Sequence, residues 1–209
     1  MKIVWLAVFL AVLAWSAINP KDYPTWLLEV SPALVGLVIL AATRRSFPLT
    51  PLLYGLILAH CLVLMVGGHY TYAEVPLFDQ LKPVFGWERN NYDKLGHFVQ
   101  GFVPAMIARE ILIRKAVVSS PTWRNLFILS VCLAFSAFYE LIEWAVAMTA
   151  GDSSEAFLGT QGYEWDTQSD MAMALVGAIS ALITMSGLHD RQLAKLQTPE
   201  SRFRQAGPR

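Results

Sequence analysis

The sequence predicts an all-α fold: a polytopic transmembrane bundle of about six helices. Three observations predict it. Charged residues make up 15% of the 209-residue chain and hydrophobic residues 55%, against about 25% charged in an ordinary soluble domain. Six stretches approach the roughly 20 mostly apolar residues that a bilayer core requires of each helix. Helix-breaking residues stand between them.

The first stretch, Ile3 to Ile18, follows Lys2 and carries the small residues Ala14 and Ser16, as a cleaved secretory signal would. Its apolar run is long for such a signal, which favours retention as a span. Asn19, Pro20 and Pro24 separate it from the second, Trp26 to Thr43, and Pro48 separates that from the third, Leu49 to Gly67. The string PLFDQLKPVFGW follows. Its Leu77, Phe78, Leu81, Val84 and Phe85 read equally as a short helix in the membrane interface and as a packed loop. The fourth stretch runs from Tyr92 to Ile113 and the fifth, beyond Pro121, from Leu126 to Ala150. The sixth, beyond the Gly- and Ser-bearing loop from Gly151, runs from Gln168 to Leu188. Residues 1–190 then form one six-span domain and residues 191–209 a short basic tail.

Basic loops stay in the cytoplasm. Arg44 and Arg45 follow the second span, Arg114, Lys115 and Arg124 stand between the fourth and fifth, and Arg191, Lys195, Arg202, Arg204 and Arg209 fill the tail. Six spans put all three groups on one side, so both termini are expected in the cytoplasm of a bacterial cell, with the protein in its inner membrane. Trp87, Trp144 and Trp165 fit an aromatic belt at the opposite face. The 16 Lys and Arg balance the 16 Asp and Glu, so net charge offers no argument for a nucleic-acid partner. Cys61 and Cys132 lie in apolar stretches without metal-type spacing and read as buried packing residues.

Ionisable side chains inside spans are expensive and mark function. Here they come in pairs. Asp93 and His97 are four apart and share one helix face with Gln100, Glu140 and Glu143 are three apart, and Asp166 and Asp170 are four apart. The fourth and sixth spans carry their pairs at the outer end, and Glu143 lies about 10 Å below that end at the helical rise. His69, after the third span, is on the same side. So many carboxylates, with Lys94 and Arg89 as the local cations, cannot all stay ionised without protons or a metal. Asp93, His97, Glu140, Glu143, Asp166, Asp170 and His69 are therefore the candidate metal ligands. Glu140 and Glu143 are also the candidate catalytic groups. Carboxylates with imidazole suit Zn, Mn or Fe, and carboxylates alone suit Mg or Ca. Helix capping is the competing explanation for Asp93 and Asp166, but it does not reach Glu140 and Glu143.

His60 reads as a hydrogen-bonded core histidine, and Arg109 and Glu110 as snorkelling or interface charges. Gly96, Gly101 and Gly177 suggest close helix approach. No phosphate-binding Gly loop, nucleophile elbow or HExxH string is present.

The strings DKLGHFVQGF, YELIEW and GTQGYEWDTQSDM, in this order on the last three spans, resemble the YjdF-like family of bacterial inner-membrane proteins. That resemblance covers nearly the whole chain and implies a fold and a location without an activity. A weaker resemblance, carried by Asp93, Lys94, His97, Phe98, Glu140 and Asp170, is to VanZ-like membrane proteins, which implies a role at the cell envelope in glycopeptide resistance. The chain departs from the VanZ pattern by its longer N-terminal half and by the second acid of each later pair.

Three function classes follow. One is a metal-dependent membrane enzyme acting on an envelope or lipid head-group substrate. Another is a non-catalytic envelope protein whose polar cluster fixes helix packing. The third is a small proton-coupled transporter, which the lack of an evident inverted repeat disfavours.

Overall fold

The computed structural model describes residues 2–150 and 161–196. Among these residues the fold is helical throughout: α1 (Lys2–Ser16), α2 (Tyr23–Thr43), α3 (Pro51–Tyr70), α4 (Pro76–Phe85), α5 (Tyr92–Arg114), α6 (Pro121–Ala150) and α7 (Asp166–Leu196). The Gly- and Ser-bearing stretch from Gly151 and the tail residues Arg202, Arg204 and Arg209 lie outside the described residues.

Helices α2, α3, α6 and α7 are long and apolar enough to cross a membrane, and α1 is apolar but shorter. Helix α5 has 23 residues but carries Asp93, Lys94, His97, Arg109, Glu110 and Arg114, which leaves it without a stretch of that length as apolar as theirs. Its packing explains its composition. It contacts α3, α6 and α7 and buries Asp93, His97, Arg109 and Glu110 along with Val103, Ala105 and Met106. A helix enclosed by other helices can carry polar groups that a lipid-facing helix cannot.

Local chemistry sets the helix starts. Asp22 accepts the Thr25 amide at 2.8 Å and a proline stands in the first turn, so α2 begins at Tyr23, ahead of its apolar run. Thr50 caps α3. The PLFDQLKPVF string is helical, as α4, and ends at Gly86, whose φ of 67° lies in the left-handed region that glycine enters without strain. No residue of α4 is buried. Leu77, Val84 and Phe85 are all exposed, while the Lys82 hydrogen bond to Asp79 holds that carboxyl below its usual range. One apolar and one charged side is the composition of a helix lying along an interface. Trp144 and Trp165 are also exposed, as an aromatic belt requires.

The most extensive helix contact joins α5 to α7. The two run parallel, with α6 crossing back between them in sequence. A Cβ on Gly101 would lie 1.7 Å from the Ala174 carbonyl oxygen, and one on Gly177 would lie 2.0 Å from that of Phe98. Both glycines therefore let backbone meet backbone, as small residues do between membrane helices.

At the Arg109 end of this pair, the structure departs from the snorkelling reading. Arg109 and Glu110 are 4% and 0% exposed, and His189 of α7 is 0% exposed. His189 Nε2 donates to Glu110 Oε2 at 2.9 Å and Arg109 donates to His189 Nδ1 at 3.0 Å. Arg114 and the Thr50 hydroxyl also donate to Glu110, at 2.7 and 2.8 Å. These partners explain the burial: a satisfied network removes the need to reach water.

The glycine contact is testable. Gly101→Ala should lower thermal stability in detergent by at least the 1 to 3 kcal/mol typical of overpacking, roughly, whereas Gly36→Ala, with no atom within 4 Å of the new methyl, should not. Equal melting temperatures for the two variants would remove the contact from the account.

Candidate functional site

At the other end of the α5–α7 pair, Asp93 and His97 stand one turn apart on α5 and face Asp170 of α7. One ligand atom from each lies within 4.8 Å of the other two. His97 Nε2 is 3.4 Å from Asp93 Oδ1, 3.9 Å from Asp170 Oδ2 and 4.0 Å from Glu140 Oε1. The opposite ring nitrogen, Nδ1, is 2.9 Å from Gln100 Oε1. An amide oxygen only accepts, so Nδ1 carries the proton and donates. Nε2 faces three carboxylates: as an imidazolium the ring donates to them, and as a neutral ring it turns a lone pair toward them. That arrangement is repulsive unless a proton or a cation sits between them, and an imidazole oriented by an outer hydrogen bond is the usual form of a metal-bound histidine.

The remaining candidate ligands divide. Glu140 is 8% exposed, and its Oε1 makes no hydrogen bond among the described residues; the same holds for Asp93 Oδ2. Glu143, one turn further along α6, lines the cavity beside His97. Asp166 is held by cations: Arg89 donates to it at 2.6 Å and Lys94 at 2.9 Å. Lys94 also donates to Asp170 Oδ1 at 2.5 Å, leaving Oδ2 turned to His97. His69 is engaged elsewhere. Its ring stacks on Trp15 with centroids 4.6 Å apart, and its Nδ1 meets the Ser16 carbonyl at 3.1 Å, so it ties α3 to α1.

A cavity of about 430 Å³ opens from this cluster. Its polar wall includes two groups that the sequence reading did not single out. Glu29 of α2 is 5% exposed and accepts the Tyr139 hydroxyl at 2.9 Å. Tyr72 faces the same cavity from a turn in which both Thr71 (φ 58°) and Tyr72 (φ 54°) adopt left-handed backbone. Consecutive non-glycine residues there store strain that the surroundings must hold. The Tyr72 ring is held where it passes Gly67 and Gly96, each of which would clash with it if it had a Cβ. The signal for Glu29 was present, since an acid near the start of an apolar run deserves the same scrutiny as one in its middle. His60 lines the cavity at mid-span.

Pro32 and Pro104 also line this cavity. Proline inside a helix frees the carbonyl four residues earlier, and the Ser31 hydroxyl takes up the Leu28 carbonyl at 2.8 Å. The site therefore combines closely spaced carboxylate oxygens, one imidazole contacted by Gln100 and an adjoining space large enough for a small ligand.

Residues 1–191 match the family described as "Predicted membrane protein (DUF2238)". The chain is 50% identical over 184 residues to the inner membrane protein YjdF of Escherichia coli (strain K12), covering 88% of each. No solved structure matches. The family resemblance is thus the right one, and the chain belongs to the DUF2238 family as a multi-span helical protein of the inner membrane.

Proposed function

We propose that this protein is a metal-dependent membrane enzyme whose site holds a divalent cation between Asp93, His97 and Asp170 and acts on an envelope or lipid head group. The observation that carries the reading is the convergence of those three ligand atoms within 4.8 Å at the edge of a cavity. Two carboxylates and one imidazole suit Zn, Mn or Fe better than Mg. A cation there would supply a Lewis acid and an activated water. Glu143, which lines the cavity, and Glu140, whose Oε1 is 4.0 Å from His97 Nε2, would be the general bases that accept the proton, and Asp166 would steady Lys94 and Arg89 rather than ligate.

A second reading, a polar cluster that only fixes helix packing, is favoured by the Lys94 contacts to Asp166 and Asp170, which already compensate part of the negative charge. It leaves Asp93 Oδ2, with Arg89 and Lys94 at 3.7 and 3.9 Å, and Glu140 Oε1 without hydrogen bonds among the described residues.

The orientation is part of the proposal. Six helices, α1, α2, α3, α5, α6 and α7, cross the membrane within a single domain of residues 1–190. Helix α4 lies at the outer interface, and the basic tail is cytoplasmic. The Arg114 contact to the Pro48 carbonyl at 2.6 Å supports this by joining two basic loops at one end of the bundle. The candidate site then faces the periplasm.

Three outcomes are expected. Purified wild-type protein should carry about one metal ion per chain by elemental mass spectrometry. Asp170→Asn and Asp93→Asn should each lose most of it, and the double variant little more, because both damage one site; metal-free wild type, with stability losses that simply add, would leave the packing reading. Gln100→Leu should weaken metal affinity by roughly 10- to 100-fold, the scale of losing an outer hydrogen bond to a metal-bound histidine, and an unchanged affinity would separate Gln100 from any such role. A reporter fused to the C-terminus should be active only in its cytoplasmic form, and a periplasmic signal would invert the site's proposed face.

A further inference from the structure

The cavity has two chemically distinct ends. Glu29, Asp93, His97 and Glu143 form one, and Val35, Leu64, Phe135 and Phe138 line the other, with His60 its one ionisable group. Along α5 it extends from Asp93 to Pro104, about 16 Å at the helical rise. Its apolar end is not enclosed by protein. Val35, Phe135 and Phe138 line it and yet are 57%, 59% and 61% exposed. Those residues sit on α2 and α6, two helices that pack on other partners, α2 on α3 and α6 on α5 and α7. The Tyr139 hydrogen bond to Glu29 bridges them at the polar end. In a bilayer, an opening between two apolar helices faces acyl chains and excludes water-borne ligands.

The polar wall narrows the class further. It presents carboxylates, one of them with a buried oxygen, Asp93 Oδ2, that makes no hydrogen bond among the described residues. Lys94 and Arg89 compensate Asp170, Asp166 and, at 3.9 and 3.7 Å, Asp93 Oδ2; neither lines the cavity, where Glu29 and Glu143 are the carboxylates with no Lys or Arg ion pair among the described residues. Acceptors in an apolar surround favour a ligand that brings donors and positive charge.

We infer that the cavity takes a membrane lipid with an ammonium-bearing, zwitterionic head group. The lipid enters sideways between α2 and α6, with one chain along Val35, Phe135 and Phe138 and its ammonium against Glu29 and Glu143. This deepens the proposed reading of the site by naming the substrate class, and it rests on that reading only for the chemistry done there. Glu29 is then a positioning residue, holding the head group while Tyr139 holds Glu29.

The test uses the full-length protein in detergent, exchanged into equal amounts of phosphatidylethanolamine and phosphatidylglycerol, with retained lipid read by native mass spectrometry. Wild type should keep one phosphatidylethanolamine in preference to phosphatidylglycerol. Val35→Trp and Phe138→Trp, both at exposed positions, should lose it by narrowing the opening, whereas Ile183→Trp, at a 77% exposed position on α7, should retain it. Glu29→Gln should reduce the preference for the ammonium lipid by roughly tenfold, the scale of one charge-assisted hydrogen bond. Retention of the two lipids in the supplied ratio, or equal losses in the Val35→Trp and Ile183→Trp variants, would overturn the inference. Metal content measured on the same samples keeps the two proposals apart: retained lipid on metal-free protein sustains this one and sinks the enzyme, and bound metal without selective lipid does the reverse.

Discussion

Gly101 and Gly177 bring the backbones of α5 and α7 into contact, and nearly every polar feature of the molecule depends on that approach. Two parallel helices held this closely place residues of equal depth side by side. Asp93 and His97 meet Asp170 near one end, and Arg109 and Glu110 meet His189 near the other. A wider crossing would leave both groups facing gaps, and an unpartnered charge at membrane depth is costly. The small residues at the crossing thus have a chemical role as well as a steric one: they set the distance across which ion pairs and ligand atoms can meet.

The two polar layers built on this crossing differ in completeness. Around Glu110, both carboxylate oxygens have donors, His189 uses both ring nitrogens, and the group is closed. Around His97, acceptors outnumber donors, two buried carboxylate oxygens make no hydrogen bond among the described residues, and a cavity adjoins. A closed network specifies packing. An open one has capacity for something more, and this contrast within one helix pair is the strongest reason to look for chemistry at the Asp93 end.

How much of this was legible beforehand depends on what a sequence encodes. Spacing along a helix converts to depth, so Asp93, His97, Glu140, Glu143 and Asp170 could be assigned to one level of the bundle. Rotation about the helix axis is set by packing partners and has no such code when a helix is apolar on most sides. His69 shares the level of the site but turns toward Trp15 and α1. Glu29 turns inward from α2, although as a single acid near the start of a span it looks like an interface charge. Arg109 and Glu110 illustrate the same gap, because only the presence of His189 on the neighbouring helix distinguishes a buried pair from a snorkelling one. The family resemblance, by contrast, needs no such rotation and was legible from the sequence itself.

The polarity of α5 also bears on how such a protein is made. Chains enter the membrane from the N-terminus onward, so α5 arrives before its partner α7 has been synthesised. A segment carrying Asp93, Lys94 and His97 toward one end and Arg109 and Glu110 toward the other is a poor candidate for release into lipid alone, since a charge facing lipid within a span is costly. The glycine face that would shelter it has nothing to meet until the final helix emerges. On the proposed six-span topology, both polar layers are therefore completed only when α7, the last helix, packs against α5.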